Sequence, residues 1–319
     1  MSITDHPISL PLLRFRVELT GWPSATGVQG RAIRGTWGHV AKAFFCENKI
    51  GVDPCEVCQK PGSCFYSYLF DSQNPGTLPW MNTATDIPRP YLIQTDEFRE
   101  TRLKGQFSFS FVFIGLNVIQ AYHYLVDALH ETAIRLWLTN FPYQKPGKII
   151  IYAEKPGSPS QEVFHTGMTT AKEVLPAVFK LEPLELTSQK RVILDFTSPF
   201  RFKPETDRDE QTRKHYLLQG LAERILSLDH FYGSRAIHPK PDLSSVLNSI
   251  QCRFLRRNLV PVYGFSTRQN QKTTEFGYDL MVELEGDLAP LFPSLLLGSW
   301  LHTGPRTSSG WGQYRIVFP

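Results

Sequence analysis

Residues 12–20, LLRFRVELT, alternate apolar and charged side chains, and residues 30–45 follow with Ile33, Trp37, Val40 and Phe44 spaced 4, 3 and 4 apart. The first pattern is that of a half-buried strand and the second that of one apolar helix stripe. Residues 107–116, FSFSFVFIGL, read as another strand. A helix over 119–139 carries Tyr122, Val126, Leu129, Ala133 and Leu136, and a strand at 148–152 follows the turn at 142–147. The second half repeats this outline: a strand at 191–202, a helix at 208–231 bearing Leu217, Leu221, Ile225 and Leu228, and strands at 259–266 and 274–284. A helix at 288–301 and a strand at 313–318 close it. Strand, helix, strands, helix, strand in each half predicts an α+β chain of two tandem ferredoxin-like (RRM-like) domains, each an antiparallel sheet with helices on one face. The expected domains are 1–185, with a cysteine-rich loop insertion at 46–64, and 186–319, with a glycine-rich loop at 302–312; the linker falls near 182–189.

Composition agrees with two packed units. The 319 residues are 41% hydrophobic and 20% charged, which excludes a disordered chain. No repeat of 20 to 50 residues is visible, which removes solenoids and propellers. Thirty-four Lys and Arg against 30 Asp and Glu leave +4, a balance that permits a nucleic-acid partner without requiring one. Neither a basic, apolar leader nor a membrane-length apolar run is present, so the expectation is a cytoplasmic protein with no membrane partner. An odd set of five cysteines argues against a disulfide framework.

Four of those cysteines, Cys46, Cys55, Cys58 and Cys64, form C-x8-C-x2-C-x5-C. Thiolates so grouped in a turn-rich loop suit a closed tetrahedral structural zinc; the alternative is four reduced cysteines with little metal affinity. His39 lies on the first helix, turned away from its apolar stripe, with Arg34, Gly35 and Lys42 nearby. That bare, basic face would admit a phosphate backbone, or it is a solvated surface. The loop His302-Thr-Gly304-Pro-Arg306-Thr-Ser308-Ser309-Gly310-Trp-Gly312 offers backbone amides, hydroxyls and a guanidinium to phosphates, or is an ordinary connection. It is not a P-loop, because no G-K-[ST] ending precedes a helix. Arg253, Arg256, Arg257 and Arg268, interleaved with aromatics, suit single-stranded or hairpin RNA, where stacking and phosphate pairing add. No G-x-S-x-G, H-E-x-x-H or suitably placed G-x-G-x-x-G is found, so hydrolase, zincin and dinucleotide readings lack support.

The motifs IRGTWGH (33–39), CFYSYLF (64–70), PRPY (88–91), YGFSTRQ (263–269), EGDL (285–288) and LHTG (301–304) through GWGQY (310–314) together resemble the CRISPR-associated repeat-processing endoribonucleases, the sixth Cas family of the RAMP superfamily. The resemblance implies a repeat of precursor CRISPR RNA as substrate and a metal-independent cut within each repeat. The 2′-hydroxyl attacks the adjacent phosphate, leaving a 2′,3′-cyclic phosphate and a 5′-hydroxyl. It further implies proton transfer by His39, with Lys42 or Arg34 stabilising charge, and His302, Tyr66 and Tyr68 as further candidates. Other Cas subunits of an effector complex are implied partners. The rival reading within the superfamily is a non-catalytic subunit that grips guide RNA.

Overall fold

A computed structural model describes residues 8–24, 28–46, 64–70, 78–81, 87–95, 105–175, 177–180, 190–266 and 271–319. In the first half β1 (Ser9–Trp22) leads to α1 (Gly30–Phe45), α2 (Phe65–Phe70), β2 (Tyr91–Gln94), β3 (Gly105–Ile114), α3 (Leu116–Gln120), α4 (Tyr122–Asn140) and β4 (Ile149–Glu154). Then β5 (Gln161–His165) and β6 (Ala177–Lys180) extend the sheet. Its order is β2-β3-β1-β4-β5, with β6 also on β1, and every pairing is antiparallel.

The second half contains β7 (Arg191–Phe196), α5 (Glu210–Tyr232), α6 (Ser244–Ser249), β8 (Gln251–Ser266), β9 (Gln271–Glu285), α7 (Phe292–Leu301) and β10 (Tyr314–Val317). Its sheet runs β10-β7-β9-β8, also antiparallel. Number each unit's four core strands one to four along the chain, and both sheets read 4-1-3-2 with a helix after the first and third strands. That is the ferredoxin-like order, twice in tandem. The cysteine insertion lies largely outside the described residues.

Period-two patterning drives the first sheet. Phe15, Val17 and Leu19 of β1 and Phe107, Phe109, Phe111 and Phe113 of β3 turn to one face and pack under α1 and α4. Trp37 of α1 seals this core, its ring 5.1 Å from Phe111 and 6.0 Å from Phe113. On the opposite face Leu10, Leu12, Leu92, Val112 and Ile114 are also buried, because they join the second unit's core with Leu221, Ile225 and Leu301. The layers therefore run α1 and α4, first sheet, α5 and α7, second sheet.

A buried polar cluster ties the halves together. Asp229 of α5 accepts from the Ser9 amide at 2.9 Å, lies 2.8 Å from His238 Nε2 and accepts from the Ser234 hydroxyl. Trp80 Nε1 donates to the His238 carbonyl at 3.0 Å, and the Tyr232 hydroxyl donates to the Pro88 carbonyl at 2.7 Å.

Several boundaries differ from the sequence reading. The helix expected over 119–139 is two helices that meet at Ala121, and Gly115, at φ 95°, ends β3 before residue 116. The strand expected to reach 202 stops at Phe196; Phe200 makes only an isolated bridge to Tyr278, just past Pro199, which has no amide hydrogen to give a ladder. β8 begins at Gln251, earlier than expected, because its arginines occupy a sheet face.

Candidate nucleic-acid interface

α1 owes its position to the stripe of Ile33, Trp37 and Val40, all buried. That leaves Ala32, Gly35, His39 and Ala43 exposed along the opposite side. Lys42, half-buried, sits one turn past His39, about 60° round the helix. Arg34 is turned about 140° from His39, and its Nε is enclosed with no hydrogen-bond partner among the described residues. Of the two helix glycines, Gly38 has a packing role: the Phe70 ring of α2 lies 3.5 Å from where its Cβ would be. Gly35 has none, since nothing lies within 4 Å of a Cβ built there. Tyr66 stacks on Phe70 with centroids 4.7 Å apart, so it is one ring away from α1. Tyr68 faces Tyr232, and burial raises its phenol above the ordinary range against the Arg235 charge.

The first turn of α1 meets two segments from the other half. Arg31 lies across Gly264 of β8, donates to Thr273 Oγ1 at 2.8 Å and sits 3.5 Å from Glu275. Glu275 also accepts from Arg306 of the glycine-rich loop, whose guanidinium is 5.7 Å from the Trp311 ring. The same loop reaches α1 through Gly310, where a Cβ would stand 3.5 Å from Gly30. One carboxylate thus bridges an arginine of α1 and an arginine of the loop. No acidic residue occupies the first turn of α1, whose Ala32 and Ile33 amides donate to the Gln29 carbonyl. Ser308 and Ser309 are half-buried in a 3-10 turn of this loop.

The loop is a closed structure in its own right. The Thr303 amide donates to the Gly312 carbonyl at 3.0 Å, and the Gly312 amide donates to the Pro199 carbonyl at 2.8 Å. Gly312 has φ 75°, and a Cβ there would collide with the Thr303 carbonyl, so backbone geometry already requires glycine. Gly304 backs onto the Phe200 ring in the same way.

His302 is corrected by the structure. It is 0% exposed, and its Nδ1 is 3.2 Å from the Trp311 carbonyl. Burial, with Arg224 beside it, pushes its imidazole down to about 3. It packs the base of the loop and does not reach RNA or a reacting phosphate.

The remaining arginines stand elsewhere. Arg253 pairs with Glu285 at 3.2 Å, Arg256 with Asp195 and Asp279 at 2.9 Å each, and Arg257 with Asp207 at 2.7 Å. Arg253 and Arg256 belong to an ion-paired network on the outer face of the second sheet. Arg257 is about 23 Å along β8 from Gly264, counting seven residues at ~3.3 Å each. The structure does not bring these three to the α1 junction: carboxylates on β7, β9 and the segment before α5 hold them. Arg268, Cys55 and Cys58 lie outside the described residues. Cys64 Sγ is 3.5 Å from the carbonyl of Phe45, the residue before Cys46. Among the described residues no three metal-ligating side chains cluster.

Arg31, Thr273 and Glu275 went unnoticed in the sequence because their meeting is made by tertiary folding alone. The one local signal was the bare helix-face glycine, Gly35.

A family model described as AF_1859_N, N-terminal domain, matches residues 10–138, from β1 nearly to the end of α4. Among solved structures, the chain is similar to Thermus thermophilus Cas6, at 11% identity and TM-score 0.46 over 98% of this chain and 99% of that one. It is similar to a Cas6 product complex at 12% identity and TM-score 0.45, over 98% of this chain and 100% of that one. A Cas6-related gene product from Pyrococcus furiosus is 10% identical, with TM-score 0.37, over 98% of this chain and 99% of that one. No curated protein matches the chain. Among the described residues no helix is long and apolar enough to cross a membrane.

Proposed function

We propose that this chain is an endoribonuclease that cuts precursor CRISPR RNA within its repeat, without a metal, by attack of a ribose 2′-hydroxyl on the adjacent phosphate. The observation that carries the reading is His39. It is exposed on α1, one turn past the bare Gly35, and about 12 Å along the helix axis from Arg31, where two elements of the other half close on the helix N-terminus. The substrate class comes from the motif resemblance spread along the chain.

In this reaction the 2′-oxygen forms a bond to phosphorus, the bond from phosphorus to the 5′-oxygen breaks, and a cyclic phosphate and a 5′-hydroxyl result. A base takes the proton from the 2′-oxygen and an acid gives one to the departing 5′-oxygen. His39 moves one of these protons. Lys42 stabilises the charge on the phosphorane, a task for a fixed cation beside the reacting group. Arg31 and the glycine-rich loop hold the neighbouring backbone phosphates. Arg34, half-buried and turned away from His39, supports the helix rather than the phosphorane.

The test is cleavage of an end-labelled CRISPR repeat RNA in EDTA by wild type and His39→Ala. A single cut ending in a cyclic phosphate, slowed about a hundredfold or more by the substitution, supports the assignment. Tight binding with no cut makes the chain a guide-RNA-holding protein, and cutting indifferent to His39 moves proton transfer to Tyr66.

A further inference from the structure

Cleavage at α1 leaves a second concavity unused. A groove of about 570 Å³ follows α5, and a hollow of about 340 Å³ adjoins it; Lys203, Tyr216, Gly220 and Glu223 line both. Gly304 and Pro305 border the hollow. They are the near end of the same glycine-rich loop whose far end, Gly310, abuts α1. One loop therefore separates the two surfaces.

The floor of the groove is built unlike an ordinary helix face. Gly220 stands in the middle of α5, where glycine weakens a helix, yet nothing lies within 4 Å of a Cβ built on it. No close approach requires the glycine, and what its absent side chain leaves is depth. Beside it Gln219, 7% exposed, uses its amide nitrogen on the Pro241 carbonyl at 2.6 Å and on Glu223 at 3.0 Å. That fixes its Oε1, which has no hydrogen-bond partner among the described residues although it is enclosed. In the adjoining hollow Arg224 donates through Nε to the Leu301 carbonyl at 3.0 Å, while its enclosed Nη2 likewise has no partner there. Buried polar atoms are ordinarily satisfied, so an orphaned acceptor in the groove and an orphaned donor in the adjoining hollow point to a ligand.

The ligand's chemistry follows from these groups. Gln219 supplies an acceptor, Arg224 a donor, and Tyr216 a half-buried ring for stacking. Lys203 and Lys240 stand exposed at the rim; Lys240 lies 3.6 Å from Glu223, so Lys203 is the cation for a phosphate, which sits there without being desolvated. An apolar ligand would leave Gln219 unpaired. A bare anion would meet the Glu223 carboxylate and leave the ring unused. The volume suits a single nucleotide.

We propose that the α5 groove holds one unpaired nucleotide of the bound RNA, its base carrying an exocyclic amino group that donates to Gln219 Oε1. The base stacks on Tyr216 and the phosphate lies at Lys203. This inference rests on the RNA reading above and adds to it a base-selective subsite beyond the glycine-rich loop. Adenine and cytosine present such an amino group, and uracil does not.

The experiment titrates the full chain with fluorescein-labelled RNAs of about ten nucleotides, oligo(A), oligo(C) and oligo(U). Wild type should bind the first two about tenfold more tightly than the third. Gly220→Met fills the floor and, in a helix interior, removes a weak residue, so it should fold as well as wild type and lose the preference. Lys203→Glu, at the exposed rim, should weaken all three severalfold. No preference in wild type, or the same preference in Gly220→Met, overturns the groove and leaves the cleavage reading intact. No binding of any of the three by wild type likewise overturns the groove, whereas the cleavage reading falls only if the repeat RNA is neither bound nor cut.

Discussion

Arg31 and Thr273 are 242 positions apart, yet the guanidinium of one donates to the hydroxyl of the other at 2.8 Å. This contact, with Glu275 beside it, is how the β8–β9 hairpin is set against the first turn of α1. Its groups are partly exposed, with Arg31 28% and Glu275 18% accessible, so the pair contributes only about 0–1 kcal/mol to stability. Arg31→Ala should move the melting temperature by no more than about 4 °C. It should slow repeat-RNA cleavage at subsaturating RNA at least severalfold, because a phosphate-facing cation and the hairpin's placement are both lost. A large melting shift with unchanged cleavage would assign Arg31 to folding alone.

His302 makes stability depend on pH. The unfolded chain takes up a proton near pH 6.5, whereas in the folded protein the same imidazole resists it until about 3. Its folded value lies below its unfolded one, so the stabilisation is complete above about pH 6.5 and drains away as pH falls toward 3. The loss is about 1.4 kcal/mol for each pH unit in that window. His302→Asn removes the titration and keeps a polar side chain at a backbone of φ 58° and ψ 171°, which strains either residue alike. Urea unfolding at pH 6.5 and 4.5 should show a pH penalty smaller by about 2 to 3 kcal/mol in the variant. Equal penalties in the two proteins would mean that His302 protonates in place.

Asp229 is fully buried, and burial opposes its charge. Hydrogen bonds from His238, Ser234 and the Ser9 amide prevail and hold its carboxyl below the ordinary range. Asp229→Ala strands those donors and should cost about 3–5 kcal/mol, read as a fall in the urea midpoint at neutral pH. In the wild type this contribution is present above about pH 4 and disappears as pH falls through the lowered carboxyl value. If the variant's midpoint at neutral pH matched the wild type's, the cluster would not be a clasp between the halves.

Much of this architecture was legible in the sequence because local patterns survive folding. Ile33, Trp37 and Val40 marked α1 to its ends, and the run of alternating phenylalanines marked β3. The early part of β8 was masked because Arg253 and Arg256 face outward over a partner network, so their stretch read as a basic cluster instead of a strand. His39 could be singled out by its neighbours in the chain. Glu275 could not, because its significance lies in Arg31 and Arg306, which only the fold brings near. His302 misled for a related reason: its glycine-rich context suggested exposure, while the loop folds over it.

The shared core has a mechanical consequence. Leu10, Leu12 and Ile114 of the first sheet are interleaved with Leu221 and Ile225 of α5, so swinging one half away from the other would tear open apolar surface. Hinge opening between the units is therefore closed to this molecule as a way of admitting a substrate. On the proposed function, a strand of RNA is captured laterally, on a rim already assembled before it arrives, and the product leaves by peeling away rather than by the parting of two jaws.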